Sequence, residues 1–153
     1  MTRAIASLLG VGFLRPGPGT WGSLAALVPG AMLLARAGPV AVAVGAVLVT
    51  ALGWWAVTRE LQRTADRDPG WIVIDEAAGM WVALAALPGF GWAGVLAAFV
   101  LFRLFDIAKP GPVRWADRQG GATGVMLDDL IAGALVALVL RGLALVLPTE
   151  WFP

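Results

Sequence analysis

Two side chains that often carry enzyme chemistry are missing from this sequence. Its 153 residues contain no cysteine and no histidine. Without cysteine there are no disulfides, thiolate nucleophiles or cysteine-ligated zinc or iron–sulfur sites. Without histidine there is no Ser-His-Asp triad and no phosphohistidine intermediate, and the commonest transition-metal ligand is lost. Any chemistry must therefore use carboxylates, Arg, Lys, Ser, Thr, backbone groups or a hard metal ion.

Charged residues are scarce, and apolar residues are abundant. The charged fraction is 14%, the apolar fraction is 59% and the mean hydropathy is +0.83. Soluble domains contain roughly 25% charged and 45–50% apolar residues, so this excess indicates a membrane protein. The net charge of +1 shows no basic footprint for nucleic acid, and we expect no nucleic-acid partner. The length favours one domain, over residues 1–153.

Apolar residues run continuously instead of alternating, which favours helices over strands. We therefore predict an all-α fold, a compact membrane-embedded bundle of about six helices. The predicted helices cover residues 21–35, 39–65, 73–87, 91–107, 111–118 and 125–147. The uncharged run from Gly38 to Val57 is long enough to span a membrane. Other apolar runs are shorter, so the number of crossings stays open.

The charged residues cluster in the segments between the apolar helices. If those helices alternate in direction, the segments 1–20, 58–76 and 103–129 lie on one side of the membrane. These segments hold 18 of the 21 charged residues and nine of the eleven Lys and Arg residues. The positive-inside rule places that side in the cytoplasm. We therefore expect a multi-pass protein whose polar face is cytoplasmic.

Two acidic pairs stand where apolar helices begin. They are Asp75-Glu76, which follows Asp68, and Asp128-Asp129. Acids in a first helical turn complement the helix dipole, which is the simplest explanation for them. Adjacent acids beside an apolar segment are nevertheless costly without a cation. Oxygen ligands of this kind suit Mg²⁺, and we predict a magnesium site.

Two further motifs are suited to binding phosphate. Arg103, Asp106 and Lys109 are spaced by three residues, so neighbours share a helix surface and form at least a salt bridge. The segment from Arg15 to Ser23 is rich in Pro and Gly and precedes an apolar helix. It is either a capped turn without a ligand or a phosphate-binding helix N-terminus.

Four blocks of the sequence resemble those of a known family. PGTWGSL (18–24), DPGWIVIDEAAGMW (68–81), FRLFDIAKP (102–110) and GVMLDDLIAG (124–133) are similar to signature blocks of the bacterial phosphatidylglycerophosphatase A family. The resemblance implies a Mg²⁺-dependent lipid phosphatase of the inner membrane, which converts phosphatidylglycerophosphate to phosphatidylglycerol. It also implies a compact all-α bundle around a central helix.

The motifs and the resemblance together suggest a role for each candidate residue. The expected metal ligands are Asp68, Asp75, Glu76, Asp128 and Asp129, with Asp68 either ligating or lying behind the ligands. The expected phosphate-binding residues are Thr20, Gly22, Ser23, Arg103 and Lys109. Asp75, Asp106 and Asp128 are the catalytic candidates, and Asp106 is a base, a metal ligand or an orienter of Arg103. A phospho-aspartyl DxDx(T/V) pattern is absent, so metal-activated water is the first choice of nucleophile.

Three other classes of protein remain as alternatives. A transporter would also use acids and Arg, but it would place them deep within its spans. A CDP-alcohol phosphotransferase would carry a D-x₂-D-G-x₂-A-R pattern, which this sequence lacks. A non-catalytic membrane scaffold would tolerate loss of Asp75 or Asp128. The oligomeric state cannot be inferred from the sequence.

Overall fold

The computed structural model describes residues 1–66 and 68–146, and every regular element among them is helical. The elements are α1 (Thr2–Ala6), a 3₁₀ turn (Val11–Phe13), α2 (Pro18–Leu61), α3 (Ile74–Leu84), α4 (Trp92–Ala108), α5 (Gly111–Asp117) and α6 (Gly121–Ala144). This confirms the all-α prediction. The helices predicted at 73–87, 91–107 and 111–118 correspond to α3, α4 and α5, whereas α1 was not predicted. The predicted end of the last helix at 147, and the C-terminal segment beyond it, lie outside the described residues.

Helix α2 folds back on itself at Gly38. This residue has φ 77° and ψ 179°, far from helical values, and Pro39 follows it without an N–H to donate. Residues 18–37 and 39–61 are therefore two arms, as the separate predictions of 21–35 and 39–65 implied. A Cβ on Gly45 in the second arm would lie 3.5 Å from Leu33 in the first arm. The two arms are thus antiparallel, and both ends of α2 lie at the same end of the bundle.

Helix α3 is the central element of the bundle. It packs against α2, α4 and α6, and eight of its eleven residues are buried. Glycines allow the close approach of its neighbours, as small residues do between membrane helices. A Cβ on Gly79 would overlap the backbone carbonyl of Asp129 in α6, and Gly53 in α2 faces Ile74 at the start of α3. The contact between Gly79 and Asp129 fixes the position of the acidic residues of α3 relative to those of α6.

Within residues 1–66 and 68–146, two helices are long and apolar enough to cross a membrane, α2 and α6. Because α2 is a hairpin, its arms cover 20 and 23 residues by the ranges 18–37 and 39–61. At about 1.5 Å per residue each arm is roughly 30–35 Å long, which is close to the thickness of a bilayer core. Helix α3 has only 11 residues and is too short to do the same.

Candidate active site

A polar cavity of about 480 Å³ opens at the end of the bundle where α2 begins and ends. Its wall combines the start of α2, the loop before α3, the first turn of α3, the end of α4, α5 and the first turns of α6. Its carboxylates are Asp68, Asp75, Glu76, Asp106, Asp117, Asp128 and Asp129, joined by Lys109 and by Gly19, Gly120, Gly121 and Gly124. The antiparallel helix order brings these distant segments together, as the distribution of charge along the sequence predicted.

Three of the carboxylates form a compact cluster. One oxygen from each of Glu76, Asp106 and Asp129 lies within 4.8 Å of the other two. The residues come from the first turn of α3, the last turn of α4 and the third turn of α6, so only the helix packing brings them together. Three hard oxygen donors in this geometry fit Mg²⁺, which prefers a few carboxylates together with water and phosphate oxygens.

Arg103 stands directly behind this cluster. Its Nη1 forms an ion pair with Glu76, lies 3.0 Å from Oδ2 of Asp106 and donates to Oγ of Ser23 at 3.1 Å. The Arg103 side chain is 14% exposed. Its Nε is buried and has no hydrogen-bond partner among the described residues. The guanidinium therefore holds two members of the carboxylate cluster in place from the side away from the cavity.

A second charged group lies on the α5 side of the cavity. Lys109 forms an ion pair with Asp117 of α5, and its Nζ lies 2.9 Å from Oδ2 of Asp128 in α6. Lys109 has φ 44°, a left-handed conformation that is unfavourable for a residue other than glycine. It ends α4 immediately before Pro110, and this turn directs the lysine across the cavity to α6.

Burial and mutual repulsion raise the pKa values of the acids on α3. Burial, together with the charge of Asp106, raises the pKa of Glu76 to about 7 against the opposing effects of Arg103 and Ser23. Burial and the charge of Glu76 raise the pKa of Asp75 well above its ordinary value. Burial also raises the pKa of Asp68 at the rim. The cavity wall thus holds more negative charge than its cations neutralise, which favours a bound cation.

Lys109 remains charged in this environment. Burial alone would lower its pKa, but hydrogen bonds to Asp117 and Asp128 raise the pKa above its usual value. An ammonium group on the cavity wall is suited to meet a phosphate as a point charge.

The predicted site residues fall into two groups. Asp68, Asp75, Glu76, Asp106, Lys109, Asp128 and Asp129 line the cavity, and Arg103 lies behind its wall. Thr20, Gly22 and Ser23 lie outside the lining: Gly22 packs on Val73, and Ser23 is fully buried. Their phosphate-binding role stays a prediction.

Sequence reasoning also missed two parts of the cavity wall. Asp117 forms the ion pair with Lys109, and Gly19 lies against Glu76. Asp117 belongs to the charged block that precedes the Gly120-Gly121 loop. Its position in that block is the one feature of the sequence that indicates a place for Asp117 in the site.

Comparison with known proteins places the chain in a family. Residues 4–144 match the phosphatidylglycerophosphatase A family. A phosphatidylglycerophosphatase A of Haemophilus influenzae is 39% identical over 131 residues, covering 85% of this chain and 80% of the relative. The enzyme of that name in Escherichia coli is 41% identical over 138 residues, covering 87% and 80%.

A protein of Bacteroides thetaiotaomicron named as a putative phosphatidylinositol-3-phosphatase is 39% identical over 141 residues, covering 84% of each chain. No solved structure matches. The family match extends over nearly the whole described chain and includes every residue of the carboxylate cluster. The chain belongs to the phosphatidylglycerophosphatase A family.

Proposed function

We propose that this protein hydrolyses phosphatidylglycerophosphate to phosphatidylglycerol and inorganic phosphate. The observation that carries the proposal is the cluster of Glu76, Asp106 and Asp129, which lies in an open polar cavity of a chain from this family. Hydrolysis of a phosphate monoester depends mainly on positioning and on neutralising phosphoryl charge. A cavity with a cation site and a lysine on its wall supports that chemistry.

Glu76, Asp106 and Asp129 are the residues we assign to hold Mg²⁺. Asp68, Asp75 and Asp128 line the same cavity and would be available as additional ligands. When bound, the ion neutralises phosphoryl charge and lowers the pKa of a coordinated water. The proposal makes Asp106 a ligand, which is one of the three roles the sequence left open.

The chain's own groups bind and orient the phosphate. Lys109 supplies a fixed positive charge on the α5 side of the cavity. The N-terminus of α6, at Gly120 and Gly121, lies on the cavity wall, and the first N–H groups of a helix have no partner within the helix. We place the phosphate between these groups and the carboxylate cluster. There Arg103 keeps Glu76 and Asp106 from separating.

We assign to Asp75 the role of accepting a proton from the attacking water. It lines the cavity next to Glu76, and burial with the charge of Glu76 raises its pKa, which makes it a stronger base than an ordinary aspartate. Asp128 is the third catalytic candidate, but its ion pair with Lys109 favours a role in orienting the lysine.

We further propose that the polar end of the bundle faces the cytoplasm, with α2 and α6 crossing the inner membrane. The chain has no cysteine, so Gln119→Cys provides a single label site in the exposed turn after α5. Labelling by a membrane-impermeant maleimide only after the cytoplasmic side is opened supports this orientation. Labelling from the periplasm of intact cells reverses it.

The activity is tested with purified protein in detergent, phosphatidylglycerophosphate and Mg²⁺, by measuring released phosphate. We expect release by the unaltered protein, no release in excess EDTA, and a large loss in Asp106→Asn. Asp66→Asn is the matched control, because Asp66 is exposed and outside the cavity lining. Full activity of Asp106→Asn would refute the role of the cluster. A non-catalytic scaffold or a transporter would release no phosphate under any condition.

Phosphatidylinositol 3-phosphate belongs in the same assay, because one relative at similar identity is named for that substrate. We expect the glycerophosphate lipid to be the better substrate by kcat/KM. The reverse order would assign the chain to the inositol lipid instead.

A further inference from the structure

The first two turns of α2 lie against the back of the carboxylate cluster. Ser23 has no exposed surface, and its Oγ lies 2.7 Å from Oε2 of Glu76 and 3.1 Å from Nη1 of Arg103. The same oxygen lies 2.9 Å from the carbonyl of Gly19, one turn earlier. Ser23 therefore contacts both Glu76 and its counter-ion, yet the cavity lining does not include it.

The hydroxyl has a single proton, which decides the direction of these contacts. The Glu76 carboxylate is both closer and charged, so it is the stronger acceptor than the Gly19 carbonyl. Ser23 thus donates to Glu76 and accepts the N–H of Arg103. A chain of hydrogen bonds runs from the guanidinium through the hydroxyl to the carboxylate, in addition to their direct ion pair.

Gly19 restricts the same carboxylate from a second direction. A Cβ at this position would overlap Oε1 of Glu76 and would stand 3.4 Å from Nη2 of Arg103. Any side chain at position 19 would therefore displace the carboxylate. Ser23 holds one oxygen of Glu76 while Gly19 leaves room for the other.

From this geometry we propose that Ser23 is a positioning residue, which fixes the Glu76 carboxylate against Arg103 and so sets the affinity of the cluster for Mg²⁺. Gly19 supports it by leaving the space that this orientation requires. The inference rests on the proposed function for its kinetic consequences. It differs from the sequence-based prediction, in which Ser23 binds the phosphate.

The test is Ser23→Ala in the full-length protein, with Mg²⁺ binding measured by titration calorimetry beside lipid phosphatase kinetics. Partners that orient metal ligands typically contribute 10- to 100-fold to affinity or activity, so we expect a fall of about that size in Mg²⁺ affinity. At saturating Mg²⁺ the KM for lipid should not change. Gly19→Ala should weaken Mg²⁺ binding in the same way, because the methyl group displaces Glu76.

Ser7→Ala is the matched control. Ser7 is also a buried serine, at 1% exposure, and its Oγ accepts the N–H of Gly10 at 3.0 Å in the turn after α1. The control should bind Mg²⁺ like the unaltered protein, even if its melting temperature falls.

Three outcomes overturn the proposal. A raised lipid KM with unchanged Mg²⁺ affinity in Ser23→Ala would mean that the hydroxyl binds phosphate. Equal losses of Mg²⁺ affinity in Ser7→Ala and Ser23→Ala would mean a general effect on folding. If Ser23→Ala does not fold, unchanged Mg²⁺ affinity in Gly19→Ala would overturn the proposal. A protein that binds Mg²⁺ normally but releases no phosphate refutes the proposed function, while the Mg²⁺ titrations still decide the role of Ser23.

Discussion

Replacing Asp129 by asparagine should stabilise the metal-free protein while it removes activity. Asp129 is 3% exposed, and its carboxylate lies within 4.8 Å of those of Glu76 and Asp106. At that separation two negative charges repel by about 3.5 kcal/mol for an effective dielectric constant of 20. Asparagine removes two such repulsions, and its amide NH₂ can donate to the remaining carboxylates.

Only part of this stabilisation will be measured, because Arg103 and proton uptake already reduce the repulsion among the three carboxylates. We expect about 1–2 kcal/mol to remain at pH 8 in EDTA. For a chain of this size each kcal/mol corresponds to about 2–4 °C, so the melting temperature should rise by roughly 2–8 °C. Turnover should fall on the order of 10³-fold, since a group that acts on the transition-state charge is weakened.

The assay is thermal unfolding in detergent, with and without Mg²⁺, beside phosphate release. In the unaltered protein, Mg²⁺ at 100 times its dissociation constant should add about 2.7 kcal/mol of stability. Asp129→Asn should lose most of that increment, whereas the exposed Asp66→Asn should keep it. A lower melting temperature of Asp129→Asn in EDTA, or an undiminished response to Mg²⁺, would refute the assignment of the cluster as a cation site.

Three further predictions concern Arg103, Glu76 and Gly79. Arg103→Lys should lower kcat about 10- to 100-fold, because the lysine ammonium ends one bond short of the Nη1 atom that contacts Glu76, Asp106 and Ser23; unchanged kinetics would contradict this. Apparent Mg²⁺ affinity should rise about tenfold per pH unit below pH 7 and level off above it, since the ion competes with the proton on Glu76; a flat profile in calorimetry would exclude that competition. Gly79→Ala should destabilise the protein by about 1–3 kcal/mol in chemical unfolding, because its Cβ overlaps the Asp129 carbonyl. Gly142→Ala, where no described atom lies within 4 Å, should not.

The limits of the sequence are clearest at the start of α6. The helix begins at Gly121, four residues before the predicted start. Gly120-Gly121 is typical of a loop, and both glycines have positive φ, yet the second is already the first residue of the helix. Packing of α5 against α6 and the hydrogen bond from Gly124 N–H to the Gly120 carbonyl stabilise this turn. Such tertiary support is invisible in local composition.

The break in α2 shows the opposite case. Gly38-Pro39 interrupts a long apolar run, and Pro39 cannot donate a helical hydrogen bond. The sequence therefore predicted the two arms on either side of it. It did not predict that they pack against each other, because that depends on the contact between Leu33 and Gly45.

The sequence by itself determined the class of chemistry and the side of the molecule on which it occurs. Without cysteine and histidine, cation ligands must be oxygen atoms, and the alternation of apolar runs with charged segments predicts that the segments holding 18 of the 21 charges share one end. Only the tertiary structure decided which carboxylates meet. Neighbouring residues on a helix point about 100° apart, so one member of each acidic pair, Glu76 and Asp129, joins Asp106. Their partners Asp75 and Asp128 face other parts of the cavity wall, because the crossings of α3, α4 and α6 set the direction of each side chain.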